Sequence, residues 1–242
     1  MSECLFLAGA TGAIGRRLAP LLIAAGWRVV GTTRSPDKAS ALHKWGVEPV
    51  VLDVFDAAAL HAALAAARPT VVVHQLTDLP PGLDPSRMAE ASGRNARIRD
   101  EGTRNLVAAA LAAGVRRMIA QSIAFAYAEG PLPHTEDDPL DLGAQGARAI
   151  SVGGVVSLER QVMAAPMEGV VLRYGRLYGP GTGSDAPTGP GALHVDAAAR
   201  AAELAIAHGT PGIYNIAEDD GTLSSEKAKR VLGWEAAWRV RQ

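Results

Sequence analysis

Three glycines at fixed spacing, Gly9, Gly12 and Gly15, separate an apolar run, Cys4–Ala8, from a stretch with apolar residues at Ile14, Leu18, Leu21 and Leu22. No other feature of the chain limits its fold so strongly. A strand that passes through a glycine turn straight into a helix opens a βαβ unit: one glycine permits the tight turn, one admits a close approach to the backbone, and one lets helix pack on strand. The alternation then continues. Arg28–Thr33, Glu48–Leu52, Thr70–His74, Met118–Ser122, Val170–Tyr174 and Ile213–Ile216 read as strands. Ile14–Ala25, Pro36–Trp45, Asp56–Ala67, a long segment from about Ser92 to Ala113, Ile150–Met163, Val195–His208 and Ser224–Leu232 read as helices by apolar spacing and end signals. The Val71-Val72-Val73 core suits a parallel strand covered on both faces. The order predicts an α/β fold, a doubly wound parallel sheet with right-handed crossovers. It forms a single domain over residues 1–242, in which about 175–242 supply a small, reduced substrate side.

Charge and composition narrow the function. The chain has 242 residues, with 24 Lys+Arg against 25 Asp+Glu and no dense basic block. Nucleic acid and anionic membrane surfaces are therefore disfavoured as partners. No run reaches the ~18 apolar residues of a membrane span. The single cysteine, Cys4, excludes an internal disulfide and fits a reducing compartment. The start Met1-Ser2-Glu3-Cys4 lacks the basic opening of a signal peptide, so a cytoplasmic location is expected. His134-Thr135-Glu136-Asp137-Asp138 fits no zinc spacing and sits among prolines, so no metal is expected there. No Gly-x-Ser-x-Gly elbow is present for a serine nucleophile.

In its strand–turn–helix context, the glycine turn points to a Rossmann-type dinucleotide site. Gly9, Thr11, Gly12, Ala13, Ile14 and Gly15 are the expected pyrophosphate cradle, because exposed N–H groups and the dipole at a helix start hold anions. NAD specificity usually shows as a carboxylate at the end of the second strand; here that point carries Arg34. A guanidinium there suits a 2′-phosphate, so NADP is preferred over NAD; the bland reading is a solvated surface arginine. Asp53-Val54, after the third strand, suits the adenine amino group, or a share in helix capping. His74 ends the fourth strand on the side where the nicotinamide ribose belongs.

Further motifs follow in order. Gly102-Thr103-Arg104-Asn105-Leu106-Val107-Ala108-Ala109-Ala110 resembles a "GTxNLLxAA" helix, and Leu172–Gly181 an "LRxxxxYGPG" segment. His194-Val195-Asp196, Gly212–Ile216 and Leu232-Gly233-Trp234 resemble "HVDD", "GxYNI" and "LGW". Together with the Gly9–Gly15 turn, these resemble the extended short-chain dehydrogenase/reductase superfamily, of the NAD-dependent epimerase/dehydratase kind, over almost the whole chain. The resemblance implies an NAD(P)-binding oxidoreductase or epimerase/dehydratase-type enzyme, a small-molecule substrate and a homodimer. Ala108, Ala109 and Ala112 with the helix Ile150–Met163 are the candidate dimer face, or simply close packing on the sheet.

The family's acid/base is missing. Members usually carry a Ser/Thr after the fifth strand and a Tyr-x-x-x-Lys whose Lys lowers the Tyr pKa from about 10. No Tyr-x-x-x-Lys occurs in the chain. The matching positions hold Ile123, Ser151 and Val155, and Arg99 stands where the family often has Asn. Ser122 is one residue early, so its hydroxyl meets the site only if a bulge shifts the register. Replacement candidates are Ser122, Tyr127 and Tyr174, with Ser151 and His74 behind them. Arg173 and Arg176 suit an anionic substrate, or a local salt bridge. The Gly/Pro-rich stretch between Pro180 and His194 implies a reduced cap, an open pocket and a small substrate. Two readings remain: an NADP-dependent oxidoreductase or isomerase with a rewired acid/base, and a non-catalytic dinucleotide-binding protein, sensing redox state or mediating an interaction.

Overall fold

The computed structural model describes residues 3–240; Met1 and Ser2, part of the N-terminal reading above, lie outside them. In chain order the elements are β1 (Cys4–Ala8), α1 (Ala13–Ala24), β2 (Arg28–Thr33), α2 (Pro36–Lys44), β3 (Glu48–Val51), α3 (Ala57–Ala67) and β4 (Val71–His74). Next come α4 (Met88–Arg97), a π turn (Ile98–Gly102), α5 (Thr103–Ala112), β5 (Arg117–Ile123), α6 (Gly146–Ala164) and β6 (Glu168–Tyr174). The last part holds β7 (Arg176–Tyr178), β8 (Ala192–His194), α7 (Val195–Ala207), β9 (Gly212–Ile216) and α8 (Glu226–Leu232).

Seven parallel strands form one sheet in the order β3-β2-β1-β4-β5-β6-β9. The order reverses at β1/β4, and a doubly wound sheet binds ligands in the crevice beyond the strand ends at that point. Strand alternation sends Leu5 and Leu7 into the core under α1 and α7, and Phe6 and Ala8 into the core under α3, α5 and α6. Both faces are covered, which is why the strands read as continuous apolar runs. The alanines of α7, among them Ala197, Ala198, Ala201, Ala202 and Ala205, are fully buried, so small side chains bring this helix close to α1 and the sheet. Among the described residues no helix is long and apolar enough to cross a membrane.

Three boundaries differ from the sequence reading. The expected single helix from Ser92 to Ala113 starts at Met88 and carries a π turn in its middle. Helix α6 begins at Gly146 rather than Ile150. The short parallel pair β7–β8, absent from the sequence reading, flanks the stretch 179–191 expected to be irregular, since three-residue strands are too brief to leave a periodic signal.

Trp234 pins the C-terminal segment. It is fully buried, and its indole N–H donates to the Ala197 carbonyl of α7 at 2.9 Å. Trp234→Ala should cost about 3–5 kcal/mol in chemical denaturation through cavity formation. Trp234→Phe should cost less, because most of the ring packing remains. A loss below about 1 kcal/mol for the alanine variant would contradict this anchoring role.

Candidate functional site

A cleft of about 590 Å³ opens at the switch point, floored by the turn Gly9–Ala13. Gly9 has φ +90°, and a Cβ there would lie 2.7 Å from the Gln75 carbonyl oxygen. A Cβ on Gly15 would lie 2.3 Å from the Gly9 carbonyl oxygen, so the helix sits on the turn with no room for a side chain. Gly12 caps α1 without a side-chain hydrogen bond, leaving first-turn N–H groups available to an anion. The Gly9 N–H donates to Thr32 Oγ1 at 3.2 Å, and Thr11 Oγ1 donates to Thr33 Oγ1 at 3.4 Å, which ties the turn to the end of β2.

The expected cofactor residues divide by position. Gly9, Thr11, Gly12, Ala13, Arg34, Asp53 and Val54 line the cleft, joined by Arg16, Ser35 and Lys38, which the sequence reading missed. Ile14 and Gly15 do not line it; the Ile14 side chain packs in the core, so only its backbone is placed for an anion. Arg34 pairs with Asp78 at 3.3 Å, and Arg94 shares that carboxylate at 3.3 Å. Asp53 Oδ1 accepts the Phe55 N–H at 3.0 Å. The side-chain oxygen of Gln75, a buried residue on the cleft wall, has no hydrogen-bond partner. A cradle closed to any Cβ, an uncapped helix start and a cationic far end together fit a nicotinamide dinucleotide.

The Gly/Pro-rich stretch, from which an open pocket is expected, contributes to the cleft wall. Gly181, Thr182 and Gly183 line the cleft opposite the turn, and Arg16 donates to the Gly181 carbonyl at 3.4 Å. A Cβ on Gly183 would come within 3.1 Å of Gly82.

The three proposed acid/base residues are placed elsewhere. β5 runs in unbroken register with β6 through Ile123, so no bulge turns Ser122 toward the site. Its fully buried hydroxyl donates to Glu159 Oε1 at 2.8 Å. Glu159 is held by both arms of Arg173, at 2.9 and 2.7 Å. Arg173 also donates to the Tyr127 hydroxyl at 2.8 Å, and that hydroxyl donates to Asn215 Oδ1 at 2.6 Å. Burial pushes the Tyr127 phenol above its ordinary pKa, opposed by Arg173. Tyr174 points to the other face, where its hydroxyl donates to the Ala198 carbonyl at 3.2 Å; burial raises its pKa further. All three are buried and hydrogen-bonded within the protein, and none lines the cleft. Arg173 likewise serves this network, and Arg176 lies over the Phe125 ring, 4.8 Å from its centroid.

His74 also leaves the site. Both ring nitrogens are used: Nδ1 accepts the Leu76 N–H at 3.2 Å and Nε2 meets Thr103 Oγ1 at 3.1 Å. The ring is buried and absent from the cleft lining. Burial, with the nearby Arg99 charge, lowers its pKa from 6.5 to about 4.

The positions matching the family relay form a second hollow of about 230 Å³, lined by Ile123, Phe125, Ser151 and Val152, with Ser92 and Arg148 at its sides. Val155 is buried beneath it among Ile123, Ala126 and Val152. The hollow therefore has no tyrosine, lysine or histidine in its lining.

Residues 9–201 match the protein family described as NAD(P)H-binding. A 3-diazoavenalumate denitrifying reductase from Streptomyces sp is 39% identical, over 94% of this chain and 86% of that protein. Among solved structures, UDP-glucose 4-epimerase from Thermotoga maritima with UDP-glucose has a TM-score of 0.78 at 19% identity, over 97% of this chain and 94% of that one. The Thermus thermophilus UDP-glucose 4-epimerase complexed with NAD also has a TM-score of 0.78 at 19% identity, over 98% and 95%. These solved structures share the fold.

Two predictions follow from the buried groups. Removing one member of the Glu159–Arg173 pair, as in Glu159→Gln or Arg173→Met, should cost roughly 3–5 kcal/mol. The double variant Glu159→Leu/Arg173→Leu should recover much of that loss, and simple additivity in denaturant titrations would contradict the pairing. For His74 the folded pKa lies below the unfolded one, so its contribution is complete above pH 6.5 and is lost as pH falls toward about 4. The full shift corresponds to roughly 3 kcal/mol. His74→Asn should therefore flatten the stability–pH curve in that window. A curve with unchanged slope would rule out a neutral buried imidazole.

Proposed function

The chain belongs to the NAD(P)H-binding family as a short-chain dehydrogenase/reductase-like oxidoreductase or epimerase, and we propose that it is an NADP-dependent reductase whose reaction consumes no side-chain proton. One observation carries this reading: Ile123 and Ser151 line the substrate-side hollow, and Val155 is buried beneath it, at the positions where the family's carbonyl chemistry uses a Ser, a Tyr and a Lys. Carbonyl reduction demands an acid at the carbinol oxygen, and losing a positioned acid typically costs about 10²- to 10⁴-fold. Removal of a diazo group has no such demand. When bound, the reduced cofactor supplies a hydride. Its addition to an aryl diazonium ion leaves a new C–H bond and breaks the C–N bond; the electron pair of that bond departs with N2, and the charges balance without a proton. The diazo-removing reductase named above supports this class, and we assign the chain an aryl diazonium substrate of small size.

The chain's own part is to bind, orient and shield. The glycine cradle and α1 hold the pyrophosphate, and Arg34 with Lys38 takes a 2′-phosphate. Arg34 is free to do so because its ion pair with Asp78 is solvent-exposed and worth little. Gly181–Gly183 line the cofactor cleft beside Arg16. The non-catalytic alternative is not favoured, since the 39% relative is a reductase. The buried Cys4 thiol supports a cytoplasmic setting. A homodimer is proposed through the exposed Ala108, Leu111 and Ala112 of α5 and Ile150 and Met163 of α6, whereas Ala109 faces the core.

The test is reduction of an arene diazonium carboxylate by NADPH, followed by N2 release and loss of reduced-nicotinamide absorbance. Deuterated NADPH should place one deuterium at the vacated ring carbon. NADPH should bind more tightly than NADH, and Arg34→Ala should erase about 10- to 100-fold of that preference, the value of a charge-assisted contact. Turnover of simple ketones with no diazonium reduction would refute the proposal.

A further inference from the structure

One cation near the hollow has no partner for its charge. Arg99 projects from the π turn between α4 and α5, an irregularity common at functional positions. Its stem passes over α6 at Gly154, where a Cβ would lie 3.4 Å from Arg99 Cδ. Among the described residues its side-chain hydrogen bond is a single long one, 3.5 Å to the Ser151 hydroxyl, and no carboxylate forms a salt bridge with it. Glu159, the carboxylate whose charge it feels, already serves Arg173 and Ser122. Arg148, at the side of the same hollow, is occupied by Asp141 and by the carbonyls of Phe125 and Tyr127. Burial lowers the Arg99 pKa only to about 10, so it remains a cation at neutral pH.

A half-buried guanidinium without a counter-charge is costly unless an anion completes it, and its planar fork matches an oxyanion in two-point contact. The opening it reaches through Ser151 is ring-sized, walled by Ile123, Phe125 and Val152 with Ser92 and the already paired Arg148 at its sides. We propose that Arg99, together with the Ser151 hydroxyl, forms an oxyanion-recognition point that holds a carboxylate or ring-oxide oxygen of an aromatic substrate. The substrate class rests on the function proposed above; the oxyanion contact does not. Arg99 positions the ring and takes no part in bond making.

Binding measured without turnover separates the two ideas. NADP⁺-loaded and cofactor-free wild type would each be titrated with benzoate and with 4-nitrophenolate, beside the neutral methyl benzoate and 4-nitroanisole. At least one oxyanion should bind about tenfold or more tightly than its neutral counterpart, and which one does so identifies the oxygen. Arg99→Met should abolish the discrimination while leaving NADPH affinity unchanged, and Arg99→Lys should restore part of it. Lack of discrimination in wild type, or its survival in Arg99→Met, would overturn the proposal. Loss of NADPH affinity in both variants would do so too, by assigning Arg99 to the cofactor ribose. None of these probes carries a diazo group, so an inactive diazonium assay leaves the outcome readable.

Discussion

Arg173 carries a permanent charge on the middle of three neighbouring strands, and much of the architecture around it answers that charge. Ser122, Arg173 and Asn215 stand side by side across β5, β6 and β9, because the parallel register pairs Ser122 with Arg173 and Arg173 with Asn215. Glu159 descends from α6 to meet the guanidinium with both oxygens, and the remaining nitrogen donates to the Tyr127 hydroxyl and the Glu136 carbonyl. Asn215 then receives the loop after β5: its N–H donates to Glu136 at 2.7 Å and its side chain to the His134 carbonyl at 3.3 Å. A charge left unpaired in such a place costs several kcal/mol, so each member holds the others in position. The network fixes α6 against the sheet by ionic and hydrogen-bonded contacts that need neither a tyrosine nor a lysine on that helix face.

That independence matters for the site. In relatives that reduce carbonyls, the helix equivalent to α6 carries the reacting tyrosine, and its placement and its chemistry are linked. Here the placement rests on Glu159, one turn beyond Val155 and two beyond Ser151, so those two positions are free to be small or apolar. The cofactor side shows the opposite pattern. Gly9 and Gly15 sit within 3 Å of carbonyl oxygens where a Cβ would stand, leaving the cradle no freedom to vary.

The legible parts of the sequence were those with a local physical signature. The glycine turn, the strand–helix order, Arg34 and Asp53 follow from short-range patterns, and the turn, Arg34 and Asp53 came to line the cleft. Ser122, Tyr127, Tyr174 and His74 did not. Their residue types are those of catalysis, but what decides their roles is which buried partner stands opposite, and Glu159, Asn215, Ala198 and Thr103 lie 24 to 88 positions away in the chain. Alternation did indicate that Ser122 faced the wrong way, and the unbroken register of β5 is the reason that no bulge rescued it. In the sequence Arg99 reads only as a replaced asparagine. Its significance is the absence of a partner, which a sequence cannot express.

The missing Tyr–Lys pair also has a chemical logic if the substrate is the diazonium ion proposed above. Phenolates and free imidazoles couple to aryl diazonium ions, and amines trap them as triazenes, so an activated Tyr–Lys pair beside such a ligand would be modified by it. The hollow is lined instead by side chains that resist this reaction: Ile123, Val152, alanines, serines, a phenyl ring and a guanidinium. The tyrosines nearest in sequence to the strand ends, Tyr127 and Tyr174, are buried, and burial raises their pKa values, keeping them as unreactive phenols. His74 lies behind the wall with both nitrogens engaged. A site stripped of nucleophiles loses the ability to protonate a carbinol oxygen, and hydride delivery with departure of N2 is a reaction for which that loss has no cost.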